Sequence, residues 1–356
     1  MDWILTLGLI SGQLIKIPLG LGGITLLDLV VLFILILNIR KINIKALPLF
    51  IKTGLIFLFV CILSLLFTPL HLTIPEYLNS FSYSIRFALY LLTGLVIFKD
   101  HIKILRVSGV FLAILGILQF IFIPDLRFME NLGWDPHYFR AVSTFLDPNF
   151  LGAYFVITAL ALRNKKILFA IIYIALLLTF SRSGYLMFLV SFSSLSFILK
   201  SMKLFLLTFI LFLGLISGFW IYTQLVTIPR GIDRSASASY RLGTWQQGLN
   251  IFKKSPILGV GFNSYRYAIK EYGIGETQFL NSKGSTTNDF SLIYVLATTG
   301  VLGLTAYLVF LLSILRSRSI IILPLLPGLL VHSIFNNSLF YPFILIWIII
   351  LANQKK

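Results

Sequence analysis

Isolated arginines and one carboxylate stand beside apolar runs at four places in the chain. Arg140 precedes an Asp-Pro-Asn turn, Arg182 lies in Ser-Arg-Ser-Gly, Arg241 lies in Ser-Tyr-Arg-Leu-Gly, and Asp289 precedes a later apolar run. A guanidinium group is a planar fork of donors that suits phosphate, and a cation at a lipid boundary is costly unless it is paired or hydrated. We therefore expect these arginines to contact an anionic ligand, with the carboxylate available to accept a proton.

Arg182 gives the strongest of these signals. It divides the apolar stretch at 167–199, which lies between basic clusters at 163–166 and 200–203. Two membrane-spanning helices need about 40 residues, so the hairpin is short and Arg182 should lie at or below the lipid interface. The alternatives are an interfacial arginine that snorkels to water and an arginine paired with a buried carboxylate such as Asp28.

The other candidates also have structural alternatives. Asp147, followed by Pro148, is typical of a residue that caps a helix, and Asp289 could equally be a helix cap rather than a functional group. Arg86 lies near the end of an apolar run, where it either completes a cationic pocket or pairs with Glu76 or Asp147.

Composition places the chain among integral membrane proteins, because 58% of its residues are hydrophobic and only 12% are charged. The pattern predicts an all-α polytopic protein with about twelve transmembrane helices, since recurrent apolar runs approach the length of roughly 20 residues that crosses a bilayer. The first pair of runs also fits a re-entrant or tilted hairpin. The predicted spans are 4–19, 21–38, 47–69, 81–98, 105–124, 148–162, 167–181, 185–199, 204–224, 291–315, 319–334 and 339–352.

Basic residues in short loops predict the orientation, because such loops stay on the cytoplasmic side. They occur at every second junction: Arg40, Lys41, Lys45, Lys99, Lys103, Arg106, Arg163, Lys165, Lys166, Lys200, Lys203, Arg316, Arg318, Lys355 and Lys356. Both termini should then be cytoplasmic, and the candidate arginines should face the outside. We expect one domain, 1–356, with a large extracytoplasmic loop at 225–290 that contains short helices.

Charge and cysteine content exclude other classes. The net charge of +17 is spread over short loops and does not form one basic patch, which argues against nucleic acid as a partner. The single cysteine, Cys61, lies inside an apolar run, so neither a disulfide framework nor a cysteine metal site is expected. The glycines at 300 and 303 favour close helix packing.

Four segments, in this order, resemble the O-antigen ligase and Wzy-type polysaccharide polymerase superfamily of bacterial envelopes over roughly residues 85–315. They are RAVSTFLDPNFLGAYF, SRSGYLMFLV, RLGTWQQGLNIFKKSPILGVGFNSY and NDFSLIYVLATTGVLGL. The resemblance implies a GT-C-like fold in the bacterial cytoplasmic membrane and glycosyl transfer without a metal or other cofactor at its outer face. It also implies an undecaprenyl-pyrophosphate-linked oligosaccharide as donor and a growing glycan as acceptor, with a flippase and a chain-length regulator as partners.

The same resemblance suggests roles for the candidates. It implies that Arg182 and Arg241 bind the pyrophosphate, and we expect Arg140 and Arg86 to add positive charge to that pocket. Family ligases have a histidine at the position that Asp289 occupies here, so the carboxylate favours a polymerase, with Asp289 as base or positioning group. A ligase that transfers glycan to a lipid A core or a protein is the alternative, and a lipid-linked glycan flippase is an alternative of another class.

Overall fold

The apolar runs of the sequence fold mainly into helices. The computed structural model describes residues 2–19, 22–41, 47–96, 98, 100–226, 234–274, 286–317 and 319–353. The elements are α1 Asp2–Ser11, β1 Lys16–Leu19, β2 Gly22–Thr25, α2 Leu26–Asn38, α3 Leu49–Leu66, α4 Ile74–Thr93, α5 His101–Phe122, α6 Pro148–Leu162, α7 Lys166–Thr179, α8 Arg182–Ile198, α9 Met202–Leu225, α10 Arg234–Lys254, α11 Tyr265–Glu271, α12 Ser291–Ile314, α13 Ile322–His332 and α14 Pro342–Ala352.

Several helices have the length and composition that a bilayer requires. Within the described residues, four helices are long and apolar enough to span it, namely Leu49–Leu66, His101–Phe122, Met202–Leu225 and Ser291–Ser317. Other apolar helices, including α6 and α7, have 10–17 residues and are shorter than a full span. The prediction of a helical membrane protein is therefore confirmed. Lys45, Lys99, Arg318, Lys355 and Lys356 lie outside the described residues, as do 227–233 and 275–285 of the predicted large loop.

The predicted spans at 4–19 and 21–38 are wrong as continuous helices, and the re-entrant or tilted hairpin stays a prediction. Helix α1 ends at Ser11, and β1 and β2 form an antiparallel hairpin in which Pro18 lies opposite Gly23. Proline lacks an amide donor and disfavours a helix interior. Helix α2 then begins behind the capping residue Thr25, so that strands appear in a chain predicted to be wholly helical.

Helix α6 is the centre of the bundle. Every residue from Leu151 to Leu162 is buried, and the helix packs against α5, α7 and α8. Its start is determined by Asp147, whose Oδ1 accepts hydrogen bonds from the backbone amides of Asn149 at 2.6 Å and Phe150 at 3.2 Å. The prediction that Asp147 caps this helix with Pro148 in its first turn is confirmed. A buried, capped helix gives the neighbouring loops a fixed base.

Helix α12 is interrupted at Gly300, whose φ of 65° and ψ of −166° are not helical. The carbonyls of Ala297 and Thr298 accept hydrogen bonds from the amides of Val260 (3.1 Å) and Gly261 (2.9 Å). Just beyond the break, the amides of Val301 and Leu302 donate to the carbonyls of Pro256 (2.9 Å) and Ile257 (3.3 Å). The segment 256–261 therefore replaces the helical hydrogen bonds that the break removes. A side chain on Gly300 would collide with the backbone of Ile257, so this glycine allows the non-helical segment 256–261 to approach closely, which differs from the close helix packing that was predicted.

Candidate functional site

One cavity of about 890 Å³ collects the candidate residues. Its walls come from the β1–β2 hairpin, the first turns of α6 and α8, helix α10, the segment before α12 and the turn at 335–341. Its charged lining residues are Lys16, Arg86, Arg140, Arg182, Arg241, Asp135, Asp147 and Asp289. Every residue that the sequence suggested as a site residue thus lies on this single cavity.

Arg182 is the first residue of α8 and presents an exposed guanidinium to the cavity. Ser181 caps the helix by accepting a hydrogen bond from the amide of Gly184 at 3.2 Å. The guanidinium lies 5.9 Å from the ring of Phe219, and no carboxylate of the described residues is within ion-pair distance of it. The alternative pairing with Asp28 is therefore wrong. A helix N-terminus and a guanidinium together favour an anion at this point.

Arg241 approaches the same space from α10. It is partly buried and lies 5.9 Å from the ring of Phe335. Burial lowers its pKa, the negative charge of Asp289 raises it, and the positive charge of Arg182 lowers it. The two arginines are 59 positions apart in the sequence, yet each one is part of the other's electrostatic environment.

Helix α10 is held in place by an amide side chain next to the candidate carboxylate. Asn288 Nδ2 donates hydrogen bonds to the carbonyl of Thr244 and to the hydroxyl of Tyr265, the latter at 2.8 Å. Asn288 Oδ1 accepts a hydrogen bond from the amide of Phe290 at 2.9 Å. Because Asn288 is fully buried and uses both ends of its amide, it fixes α10 relative to the start of α12.

Asp289 is not the cap of α12, so that alternative is wrong. The capping position is Phe290, without a side-chain hydrogen bond. Asp289 lines the cavity, and burial raises its pKa to about 6, with Arg241 lowering it and Asp147 raising it. A carboxylate with such a pKa is ionised at neutral pH and accepts a proton more readily than an ordinary aspartate, which suits a general base.

Arg140 is engaged with the end of α7. Its Nε donates to the carbonyl of Thr179 at 2.9 Å, and its Nη2 lies 3.4 Å from the carbonyl of Phe180. A cation at a helix C-terminus compensates the exposed carbonyls there. Arg140 therefore braces the Phe180–Ser181 turn that leads into Arg182, while its charge remains on the cavity wall.

Arg86 pairs with Asp28, which corrects the predicted pairing with Glu76 or Asp147. Its Nη2 lies 2.9 Å from Asp28 Oδ2 and also donates to the carbonyl of Gly23. Glu76 is occupied elsewhere, because it completes a capping box at the start of α4. The ion pair cancels the formal charge of Arg86 and ties α4 to α2 and to the β1–β2 hairpin.

The turn at 335–341 lines the cavity, although no site residue is predicted there from the sequence. Asn336 Nδ2 donates to Ser183 Oγ at 2.9 Å, and Ser181 Oγ donates to Asn149 Oδ1 at 3.0 Å. These bonds join the first turns of α6 and α8 to the connection between α13 and α14. The signal in the sequence was the polar triplet Asn-Asn-Ser between two apolar runs.

Within the part of the chain that the structure describes, metal ligands do not gather at the cavity. Across the described ranges, no group of three or more histidine, cysteine, aspartate or glutamate residues lies close enough to hold a metal ion. The polar groups that converge here are guanidinium forks, amides, hydroxyls and carboxylates, and the guanidinium forks suit phosphate.

Residues 167–308 match the family model described as O-antigen ligase. The match confirms the resemblance to the O-antigen ligase and Wzy-type polymerase superfamily and indicates a membrane protein with an activity of the ligase or polymerase type. It includes Arg182, Arg241 and Asp289, whereas Arg86 and Arg140 precede it. No curated protein matches the chain.

Proposed function

We propose that the chain is a polysaccharide polymerase that joins undecaprenyl-pyrophosphate-linked oligosaccharide repeat units by glycosyl transfer. The observation that carries the proposal is that Arg182, Arg241 and Asp289, which belong to three separate segments of the matched region, line one cavity. No metal takes part in the proposed reaction. The donor is the saccharide linked to undecaprenyl pyrophosphate, and the acceptor is a hydroxyl group of the growing glycan.

Arg182 and Arg241 bind the pyrophosphate in this scheme. The leaving group gains negative charge as its bond to the sugar breaks, so cations held in a partly dehydrated site stabilise the transition state more than the ground state. By analogy with other preorganised donors, the loss of one such contact raises the barrier by about 3–4 kcal/mol. The N-terminus of α8 adds its partial positive charge beside Arg182.

Arg140 and Arg86 have supporting roles in the same scheme. Arg140 is committed to the carbonyls of Thr179 and Phe180, so it adds positive potential and holds the turn that carries Arg182. Arg86 is neutralised by Asp28 and adds a polar wall to the cavity rather than a net charge.

Asp289 is the proposed base. It accepts the proton of the acceptor hydroxyl while the acceptor oxygen forms a bond to the anomeric carbon. The bond from that carbon to the pyrophosphate oxygen breaks, and undecaprenyl pyrophosphate leaves with the bonding electron pair. A single displacement of this kind inverts the configuration at the anomeric carbon.

In the proposed orientation, the cavity opens at the outer face of the bacterial cytoplasmic membrane and both termini lie in the cytoplasm. The proposed architecture has about twelve spans in a GT-C-like arrangement. Supporting this orientation, Arg40, Arg163, Lys200 and Arg316 follow the C-terminal ends of α2, α6, α8 and α12, whose N-terminal ends adjoin the cavity. A flippase that delivers the lipid-linked units and a chain-length regulator are the proposed protein partners.

Ligation is the second candidate, because the matching family model is described as O-antigen ligase. The carboxylate of Asp289, where family ligases have a histidine, favours polymerisation over it. Purified chain in liposomes with undecaprenyl-pyrophosphate-linked repeat units separates the possibilities. A lengthened lipid-linked glycan indicates a polymerase, transfer to lipid A core or protein indicates a ligase, and translocation without a new bond indicates a flippase.

Substitution of the two arginines tests the mechanism. Arg182→Ala and Arg241→Ala should each abolish the lengthened glycan, because each removes a fork from the pyrophosphate. Arg127→Ala is the matched control, since Arg127 is an exposed arginine that pairs with Asp125 away from the two candidates. Normal chain-length distribution in either cavity variant, with insertion into the membrane intact, would contradict the proposed mechanism.

A further inference from the structure

The cavity is lined by further polar groups besides the arginines. Three side-chain atoms there are buried and lack a hydrogen-bond partner among the described residues, namely Gln13 Oε1, His137 Nε2 and Asn337 Oδ1. His137 and Asn337 are each only 9% exposed. A buried polar atom without a partner is costly, so such atoms on a cavity wall indicate a ligand that satisfies them.

Gln13 and His137 are held by the same turn, just before α6. The backbone amide of Gln13 donates to the carbonyl of Thr144 at 2.8 Å, and the ring of His137 donates a hydrogen bond to the backbone of Leu146. Gln13 Nε2 also contacts the hydroxyl of Tyr341 at 3.4 Å. Asn337 belongs to the 335–341 turn, which ends at Tyr341, so these contacts connect the three residues, all of which line the cavity.

All three unpartnered atoms are hydrogen-bond acceptors. The side-chain oxygens of Gln13 and Asn337 cannot donate. Burial lowers the pKa of His137 to about 3, so its ring is neutral at pH 7, and the proton shared with Leu146 leaves Nε2 with a lone pair. A ligand that fits this wall must bring several hydroxyl donors.

We propose that Gln13, His137 and Asn337 form a saccharide subsite that accepts hydrogen bonds from the hydroxyl groups of a sugar ring. The inference rests on the proposed function and extends it, because it assigns the residues that select the sugar, apart from those that bind the pyrophosphate. Trp134, on the cavity wall, provides an aromatic face of the type on which sugar rings stack. A sugar that lacks the recognised hydroxyl would leave buried acceptors unpaired and would bind poorly.

Binding to the full chain in lipid nanodiscs tests the subsite with two probes. One is undecaprenyl pyrophosphate, which has no sugar, and the other is lipid-linked saccharide extracted from host cells that lack this chain. His137→Phe keeps a flat ring but removes the acceptor, and Gln13→Met keeps the chain length but removes the oxygen. Each should weaken saccharide-lipid binding by about tenfold, the value of one lost hydrogen bond, and leave binding of the sugar-free lipid unchanged within about twofold.

Two further variants make the test specific. His137→Gln, which restores an acceptor, should recover most of the affinity for the saccharide-bearing lipid. His71→Phe, the same substitution at an exposed histidine, should change neither affinity. Equal losses for both lipids, or no loss for the saccharide-bearing lipid in both His137→Phe and Gln13→Met, would overturn the subsite.

A third probe identifies which sugar is bound. The third probe is free oligosaccharide, released from the lipid by mild acid. If the subsite holds the acceptor glycan, His137→Phe and Gln13→Met should also bind this oligosaccharide about tenfold more weakly than the wild type does. If only the binding of the lipid-linked form is weakened, the subsite holds the donor saccharide. Either result supports the subsite. If the wild-type chain forms no glycosidic bond but the sugar-dependent loss persists, the polymerase proposal fails and the subsite stands. If bonds form without any sugar-dependent loss, the subsite fails alone.

Discussion

Asp289→Asn should make the protein more stable at neutral pH while it removes the proposed base. The pKa of Asp289 is raised from 3.8 to about 6 in the folded chain, chiefly by burial. The folded state therefore holds this proton more tightly than the unfolded state does, and stability is lost as the pH rises from about 4 to about 6. The difference of about 2 pKa units corresponds to at most about 3 kcal/mol of destabilisation above pH 6. Asparagine keeps the shape of the side chain and removes this charge.

Thermal unfolding of the full chain in detergent measures the effect at two pH values. At pH 8 the variant should unfold a few degrees above the wild type. At pH 5 about half of that advantage should be gone, because the wild-type carboxyl is then mostly protonated in the folded state. Asp125→Asn is the matched control, since Asp125 is an exposed carboxylate whose pKa is lowered by Arg127, and it should gain no stability. Equal stability of Asp289→Asn and wild type at pH 8, or an advantage that is identical at both pH values, would refute the reasoning.

Activity should depend on pH through the same carboxyl. A base with a pKa of about 6 is ionised to about 90% at pH 7 and about 10% at pH 5, so glycan formation should fall about tenfold between them. Asp147→Asn should move this acid limb to lower pH, because it removes a negative charge that raises the pKa of Asp289 while asparagine still caps α6. An acid limb at the same pH in this variant would mean that Asp289 is not the group that titrates.

Two further substitutions test the scaffold. Gly300→Ala should destabilise the chain by more than the roughly 1–3 kcal/mol expected for a non-glycine residue at this φ and ψ, because its methyl group also meets the backbone of Ile257. Gly243→Ala is the control and should not be destabilising, because a methyl group there meets nothing within 4 Å. Thermal melting curves of the two variants measure the difference. Arg86→Gln should cost about 3–5 kcal/mol, because it leaves the Asp28 carboxylate buried without its cation, and a melting temperature like that of wild type would show the pair to be dispensable.

Local signals in the sequence predicted much of the scaffold. The span 148–162 and its cap were correct to the residue, because Asp-Pro-Asn combines a capping side chain with a proline in the first helical turn. A short helical hairpin around Arg182 was correctly predicted, since the apolar stretch is too short for two full spans, but Arg182 begins α8 and does not lie in the turn itself. Such predictions depend only on neighbours in the chain.

Contacts between distant segments could not be predicted in the same way. The partner of Arg86 is Asp28, which is 58 positions away and was considered only as a partner for Arg182. Asp289 and Asn288 are adjacent and both polar, yet the structure buries Asn288 as a brace and leaves Asp289 on the cavity. Which of two neighbouring side chains faces a partner depends on how α10 packs, and no local pattern encodes that packing.

At Gly300, backbone groups of the segment 256–261 form the hydrogen bonds that α12 would otherwise form within itself, so this segment stiffens the helix at its break. Helix α10 ends at Lys254, just before this segment, and Asn288 donates a hydrogen bond to the carbonyl of Thr244 in α10. Arg241 and Asp289 therefore lie on segments that are rigidly connected to each other. This connection would keep the distance between the guanidinium of Arg241 and the carboxylate of Asp289 constant while a bulky lipid-linked substrate binds and leaves. The moving parts of the reaction cycle should then be sought elsewhere along the cavity rim.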